Sequence, residues 1–484
     1  MITGLKPYST MKPSVVESLG SVPEHWECRR LKTILQPVDR RSDTGQQTLL
    51  SLRRDHGVVV YAEHFTRPPQ AASLTGFKLV EVDELVVNRL QANNGLIFRS
   101  GIDGLISPDY SVFRKKHPVQ MRFISEVCRT SYYRAQFRKE ATGLGTGTAG
   151  FLRLYDNRFL DTRVHLPPLP EQRAIVRYLD YVDQRIRRYV CAKRRLIELL
   201  EEERQAVVTQ AVTRGLDPDV RLKPSSIDWL GDVPEHWELC RLRNVVSVVT
   251  TGSRGWSSYA SDTGPLFIRV ANLSRGSLQL RFHDTVRLNL PETSEVTRTR
   301  IQAGDVLVSV TAYIGSIGIA PAALDEAYVS QHVARCQPRP GSSPRWLGYV
   351  LLSTVGQTHG RISTSGGTKD GLSLDDVKNY PILLPPVDEQ LAIVEHVDKT
   401  FVDIDAAIAR ARRQIELTEE YRTSLVADVV TGKLDVREAA ELLPNQEVGD
   451  DWPKNGPLAD FFDDDDGIPE EPAGDSAIES EVTV

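Results

Sequence analysis

Apolar residues recur at alternating steps of four and three in two stretches of this chain. Ile175, Leu179, Val182, Ile186, Tyr189, Leu196, Leu200 and Val207 form the first series, interrupted by Lys193 and Glu203. Val394, Val397, Phe401, Ile404, Ile408, Ala411 and Ile415 form the second. This spacing is a heptad-like helical seam. Pro170 marks a first turn, Asp388 an N-cap, and Gly215 and Gly432 the glycine C-caps. Each predicted helix has about forty residues, hence roughly 60 Å of length at 1.5 Å per residue. One apolar stripe that long outruns a small domain, so the two helices are expected to pair with each other as an antiparallel coiled coil.

A different pattern runs from Val306 to Leu324, which carries no charge. Its length alone would suit a membrane helix. Ser309, Thr311, Tyr313, Gly315, Ser316, Gly318 and Pro321 interrupt it, so it reads as buried strands joined by a turn. No membrane span is expected.

The chain also repeats itself, which outranks any local pattern in deciding architecture. KPSVVESLGSVPEHWECRRL at 12–31 returns as KPSSIDWLGDVPEHWELCRL at 223–242, with thirteen of twenty positions identical. LPPLPEQRAIVRYLD at 166–180 returns as LPPVDEQLAIVEHVD at 384–398, with nine of fifteen identical. The segments between the blocks have diverged. Weak echoes remain in Glu84-Leu-Val-Val-Asn against Asp305-Val-Leu-Val-Ser, and in the Gly-Thr loops at 145–150 and 365–371. The fold class expected is mixed α/β (α+β): two globular domains, 1–165 and 216–383, separated by two long helices in a pseudo-twofold internal repeat. The helical segments are 166–215 and 384–440, and 441–484 is an acidic tail expected to be disordered.

Charge sharpens that division. The net charge is −6, but thirteen acidic residues and one basic residue lie between Asn445 and Val484. The tail therefore carries −12 and the body +6. A mildly basic body permits a polyanionic partner, while falling short of a domain that holds DNA alone. The tail reads as a solubilising extension, with a DNA-mimicking or autoinhibitory arm as the alternative. Five cysteines, odd in number and without C-x-x-C spacing, argue against a zinc site or redox pair. With no secretory pattern at the N-terminus, a cytoplasmic location is expected.

Catalytic signatures are missing. The chain has no phosphate loop, no G-x-S-x-G elbow, no H-E-x-x-H pair and no Asn-Pro-Pro-aromatic tetrapeptide. His25 and His236, each followed by tryptophan, lie in the repeated blocks without a nearby second ligand and read as structural corners. The divergent segments instead hold residues suited to base edges, since arginine pairs with guanine and asparagine or glutamine with adenine. In the first these are Arg53, Arg54, Arg89, Gln91, Asn93 and Asn94; in the second, Arg254, Trp256, Tyr259, Tyr313, Gln331 and His332. Thr146, Thr148, Thr368 and Lys369 in the Gly-Thr loops are candidates for phosphate contacts, where glycine lets amides approach oxygen.

The V-P-E-H-W blocks at 22–26 and 233–237 and the L-P-P-x-x-E-Q-x-A-I-V blocks at 166–176 and 384–394 resemble the specificity subunit of type I restriction-modification systems. The resemblance covers residues 12–440. It implies that the divergent segments are target recognition domains, each reading half of a bipartite double-stranded DNA site, with the helices setting the gap. The implied partners are two methyltransferase subunits and two restriction subunits. S-adenosylmethionine, ATP and Mg are then expected on those partners, with no cofactor, metal or catalytic residue on this chain. A coiled-coil scaffold that binds no DNA, a subunit of a modification-only system, and a self-contained enzyme are the alternatives.

Overall fold

The computed structural model describes residues 5–444 apart from 17–18, 55, 67, 70, 145–150, 291–293 and 365–370. The acidic tail from 445 and the loop residues Thr146, Thr148, Thr368 and Lys369 lie outside the described residues. The chain forms two compact units: Met1–Cys191 with Ile415–Val484, and Ala192–Gln414. Each unit contains part of each long helix, Leu169–Arg214 and Val387–Val430. Among the described residues, no helix is long and apolar enough to cross a membrane.

The first unit is built on a four-stranded antiparallel sheet in the order Leu35–Val38, Tyr110–Lys115, Leu85–Asn88, Ile97–Arg99. Val112 stands opposite both Val38 and Val86, as expected for β-branched residues on a pleated surface. Helices Met121–Arg129 and Ser131–Glu140 contribute Phe123, Tyr133 and Phe137 to a core that also holds Trp26, Phe113 and Phe159. Strand Glu27–Arg30, just after the first V-P-E-H-W block, pairs with Arg163–Leu166, which leads into the first long helix.

The second unit repeats that order with Val246–Thr251, Val333–Pro338, Val306–Ser309 and Ile317–Ile319. The uncharged run is thus two buried strands and a turn. An added sheet joins Val286–Leu288, Ala260–Ile268 and Ala327–Val329, the last two in parallel. Strand Glu238–Arg241 pairs with Pro381–Leu384 at the entry to the second long helix.

The repeated blocks meet in space. Glu171, in the first turn of its helix, accepts from Trp26 Nε1 at 2.9 Å, Tyr8 Oη at 2.7 Å and His25 Nε2 at 2.7 Å. In the second unit, Glu389 is bonded to Trp237 Nε1 at 3.1 Å and His236 Nε2 at 2.8 Å. The neighbouring glutamines, Gln172 and Gln390, donate to the carbonyls of Pro167 and Pro385, both at 2.9 Å. Lys12 and Lys223 donate to the backbone of Trp26 and Trp237 at 2.6 and 2.8 Å. The histidines are corners, and the carboxylate that secures each comes from a long helix about 150 residues away in the chain.

Those knots also take in the opposite helix ends. Gly432, at φ +77°, lies beside Trp26 and Pro23; Gly215, at φ +72°, lies beside Trp237. Both glycines act as left-handed caps. Asp388 does not act as an N-cap: the second helix already begins at Val387, so its carboxylate sits in the first turn, favourably placed for the helix dipole.

The seam departs from a strict heptad. Ile175 and Leu179 are buried, as are Val397, Phe401, Ile404 and Ile408, while Val182, Ile186, Leu200 and Ile415 are partly covered. Leu196 is 40% exposed, and Val190 is buried where Tyr189 was expected. A straight α-helix repeats every 3.6 residues rather than 3.5, so its covered stripe drifts by about 20° per heptad and has moved off the heptad positions after two or three heptads. Polar contacts mark the helix neighbours inside each unit. In the first, Asp183 accepts from Arg422 at 2.7 Å and Arg122 at 2.6 Å. In the second, Asp405 accepts from Arg204 at 2.8 Å, and Glu201 pairs with Arg412 at 3.5 Å.

Candidate nucleic-acid interface

In the first unit the candidates lie on two loops whose strands share an apolar cluster containing Leu52, Val86 and Phe98. Arg54 is exposed beyond strand Leu50–Arg53. The Arg53 guanidinium lies 5.5 Å from the Phe65 ring and donates to the carbonyl of His64 at 3.3 Å. On the other loop, Gln91 precedes the short 3₁₀ turn Ala92–Asn94 and Asn94 ends it, both exposed to solvent. Asn93 is half-covered, and its carbonyl accepts from Arg134.

Arg89 is already engaged. Its Nε donates to Asp109 O at 2.7 Å and its Nη2 to Pro108 O at 2.9 Å, which fastens this loop to the turn before strand Tyr110–Lys115. Nearby, Lys78 donates to Tyr110 O at 2.9 Å, and burial holds its ammonium below the usual lysine range. These cations shape the loop platform.

The second unit brings more of its candidates together. The turn after strand Val306–Ser309 contains Ala312 at φ +38° and Tyr313 at φ +43°. Two consecutive non-glycine residues in the left-handed region are costly, and such strain concentrates where a side chain must be displayed. Tyr313 is 53% exposed. Its carbonyl accepts from the hydroxyls of Ser309 and Ser316, both at 2.8 Å, and the Arg275 guanidinium lies 5.7 Å from its ring. Gln357 donates to Gly315 O at 2.8 Å and braces the turn from behind.

His332 joins the same cluster, its Nδ1 2.6 Å from Thr311 Oγ1 and its Nε2 2.8 Å from Gln331 Nε2. The loop carrying Arg254 starts at Gly252, which donates to Ser330 O at 3.1 Å. A Cβ at residue 252 would fall 1.9 Å from Val329 O, so only glycine permits this approach. Gly371 bridges to Thr311, which brings the end of the second Gly-Thr loop to the Tyr313 turn.

Trp256 and Tyr259 divide. Tyr259 is exposed, whereas Trp256 is 6% exposed in a cluster with Phe267, Leu288 and Tyr328. The Trp256 indole meets Tyr328 edge-on at 6.1 Å and offers no open face for a base. Thr311, Arg275 and Gln357 were missed by sequence reasoning; the Ala-Tyr-Ile-Gly run ending at Gly315 was the signal for a display turn.

The echo between Glu84 and Asp305 also has a physical basis. Each carboxylate is buried at the start of a strand and accepts the backbone N–H three residues earlier, from Glu81 at 2.9 Å and Gln302 at 2.6 Å. Each also accepts from an arginine, Arg40 at 2.6 Å and Arg335 at 2.5 Å. Burial pushes both carboxyls above the ordinary range, against the pull of those partners.

Comparison with known proteins bears on these two platforms. Residues 234–417 match the model of the type I restriction modification DNA specificity domain. The Escherichia coli K12 EcoKI specificity subunit is 24% identical over 450 residues, covering 88% of this chain and 92% of that subunit. The chain is similar to type I specificity subunits along most of its length. The EcoBI specificity subunit of Escherichia coli is 26% identical over 308 residues, and the match spans 62% of this chain and 64% of that protein. A chain from a solved structure concerned with complex assembly and conformational transition of the type I R-M system superposes with a TM-score of 0.62. It shares 20% identity and covers 85% of this chain and 99% of its own length, a likeness of fold. The matched family model describes a DNA specificity domain.

Proposed function

We propose that this chain is the specificity subunit of a type I restriction-modification complex, that it reads a bipartite double-stranded DNA target, one half-site through each divergent domain, and that it positions two methyltransferase and two restriction subunits on it. The observation that carries the reading is the display turn of the second unit, where Tyr313, Gln331, His332 and Arg275 surround a strained backbone. The first unit supplies Arg54, Gln91 and Asn94 on exposed loops. Adenine-N6 methylation with S-adenosylmethionine, and ATP- and Mg-dependent cleavage, belong to the partners. The +6 body outside the tail leaves much of the phosphate neutralisation to them.

In this reading the two long helices pair as an antiparallel coiled coil whose length sets the gap between half-sites. Two heptad-like series support it, as do the ion pairs Asp183–Arg422, Arg204–Asp405 and Glu201–Arg412, each inside one unit. Inserting four residues into both helices tests it. The half-sites are expected to persist with a longer gap in the methylated motif, and an unchanged motif contradicts the reading.

A further inference from the structure

Two adjoining cavities on the first unit, about 370 and 240 Å³, form a groove in which Gln120 and Arg173 line both. Lys115, Lys116 and His117 line one end, and Arg177, Leu443 and Pro444 the other. Arg177 donates to the carbonyls of Leu443 at 2.7 Å and Pro444 at 3.3 Å, so it holds the chain at the point where the described residues end. Arg173 is exposed and has no ion-pair partner among the described residues. Among the described residues Lys116 is anchored to a backbone carbonyl, that of Lys32 at 2.7 Å, whereas Lys115 is paired with Asp83. The acid in the groove, Asp180, is turned toward Arg122 at 3.1 Å.

The forty residues after Pro444 carry −12, and their first acids are Glu447, Asp450 and Asp451. We propose that the segment from Glu447 to Asp451 folds back along this groove and sets its carboxylates against Arg173, Arg177 and Lys116. Seven extended residues reach roughly 25 Å from Pro444, enough to run past both cavities. Tethering supplies an effective concentration on the order of millimolar, so weak exposed ion pairs suffice for occupancy. The segment then competes with any polyanion for these cations at low salt and lets go as screening shortens the range of attraction.

Carbodiimide cross-linking of the full-length chain, read by mass spectrometry, tests this. The most abundant tail links are expected between Glu447, Asp450 or Asp451 and Lys116, falling at least fivefold in 0.5 M salt and in the Arg173→Glu/Arg177→Glu variant. Tail links spread over lysines of both units, or unchanged by the charge reversal, overturn the proposal. Should that variant misfold, a tail variant decides. Glu447→Gln/Asp450→Asn/Asp451→Asn is expected to raise acetylation of Lys116 several-fold relative to Lys399 in the second unit, and an unchanged ratio overturns the proposal.

Discussion

The indole of Trp26 donates to the carboxylate of Glu171 at 2.9 Å across 145 residues of chain. This bond ties the segment that opens the first half to the helix that closes it, and Trp237 with Glu389 does the same in the second half. The two knots are unequal. Glu171 is nearly inaccessible, with 5% of its side chain exposed, and serves three donors; Glu389 is 30% exposed and serves two.

Glu171→Ala is therefore expected to cost about 3 kcal/mol or more, because it strands the buried Trp26 and Tyr8 donors and removes hydrogen bonds to a charged acceptor. Glu389→Ala is expected to cost roughly half as much, since Glu389 is partly exposed and serves one donor fewer. Denaturant midpoints of the two variants check the order, and equal losses count against this account of the repeat.

Asp183 sets a pH dependence. Burial pushes its carboxyl up, but the hydrogen bond and charge of Arg422, with Arg122, outweigh burial and hold it below the ordinary range. A carboxyl depressed on folding stabilises above its unfolded pKa of about 4 and loses that contribution as pH falls through the folded value. Asp183→Asn is expected to cost about 2–3 kcal/mol at neutral pH by removing the charged acceptor that the half-buried Arg122 and Arg422 share. The gap between wild type and variant should be flat at neutral pH and close below about pH 4; a gap that stays constant to pH 2 contradicts the assignment.

Much of the architecture could be read from the chain because duplication is visible without structure. The V-P-E-H-W and L-P-P-x-x-E-Q blocks marked both knots, yet not that Glu171 would reach His25, a pairing made by folding alone. The heptad series found both helices but misplaced Leu196 and Tyr189, since real helical pitch drifts against a seven-residue repeat. Base-reading candidates were the least legible. Residue type singled out Arg89 and Trp256, one of which fastens a loop to a turn and the other fills a core. Thr311 and Arg275 acquire their place only through strand pairing and the turn that follows.

Trp256 and Tyr313 separate packing from recognition. Trp256→Ala is expected to lose about 3–5 kcal/mol of stability through the cavity it leaves. Tyr313→Ala removes an exposed ring from a strained turn, leaves stability within about 0.5 kcal/mol, and weakens binding of the assembled complex to its target DNA. Thermal melts and a DNA titration of both variants check this pair, and a Tyr313→Ala complex with unaltered affinity removes that residue from the interface.

The most direct measurement is to express this chain with its methyltransferase partner in a host free of adenine methylation and sequence the DNA for N6-methyladenine. The account predicts a split motif, two short half-sites around a fixed gap, that disappears when this chain is omitted. A stable complex that methylates nothing, or methylates the same sites without this chain, contradicts it.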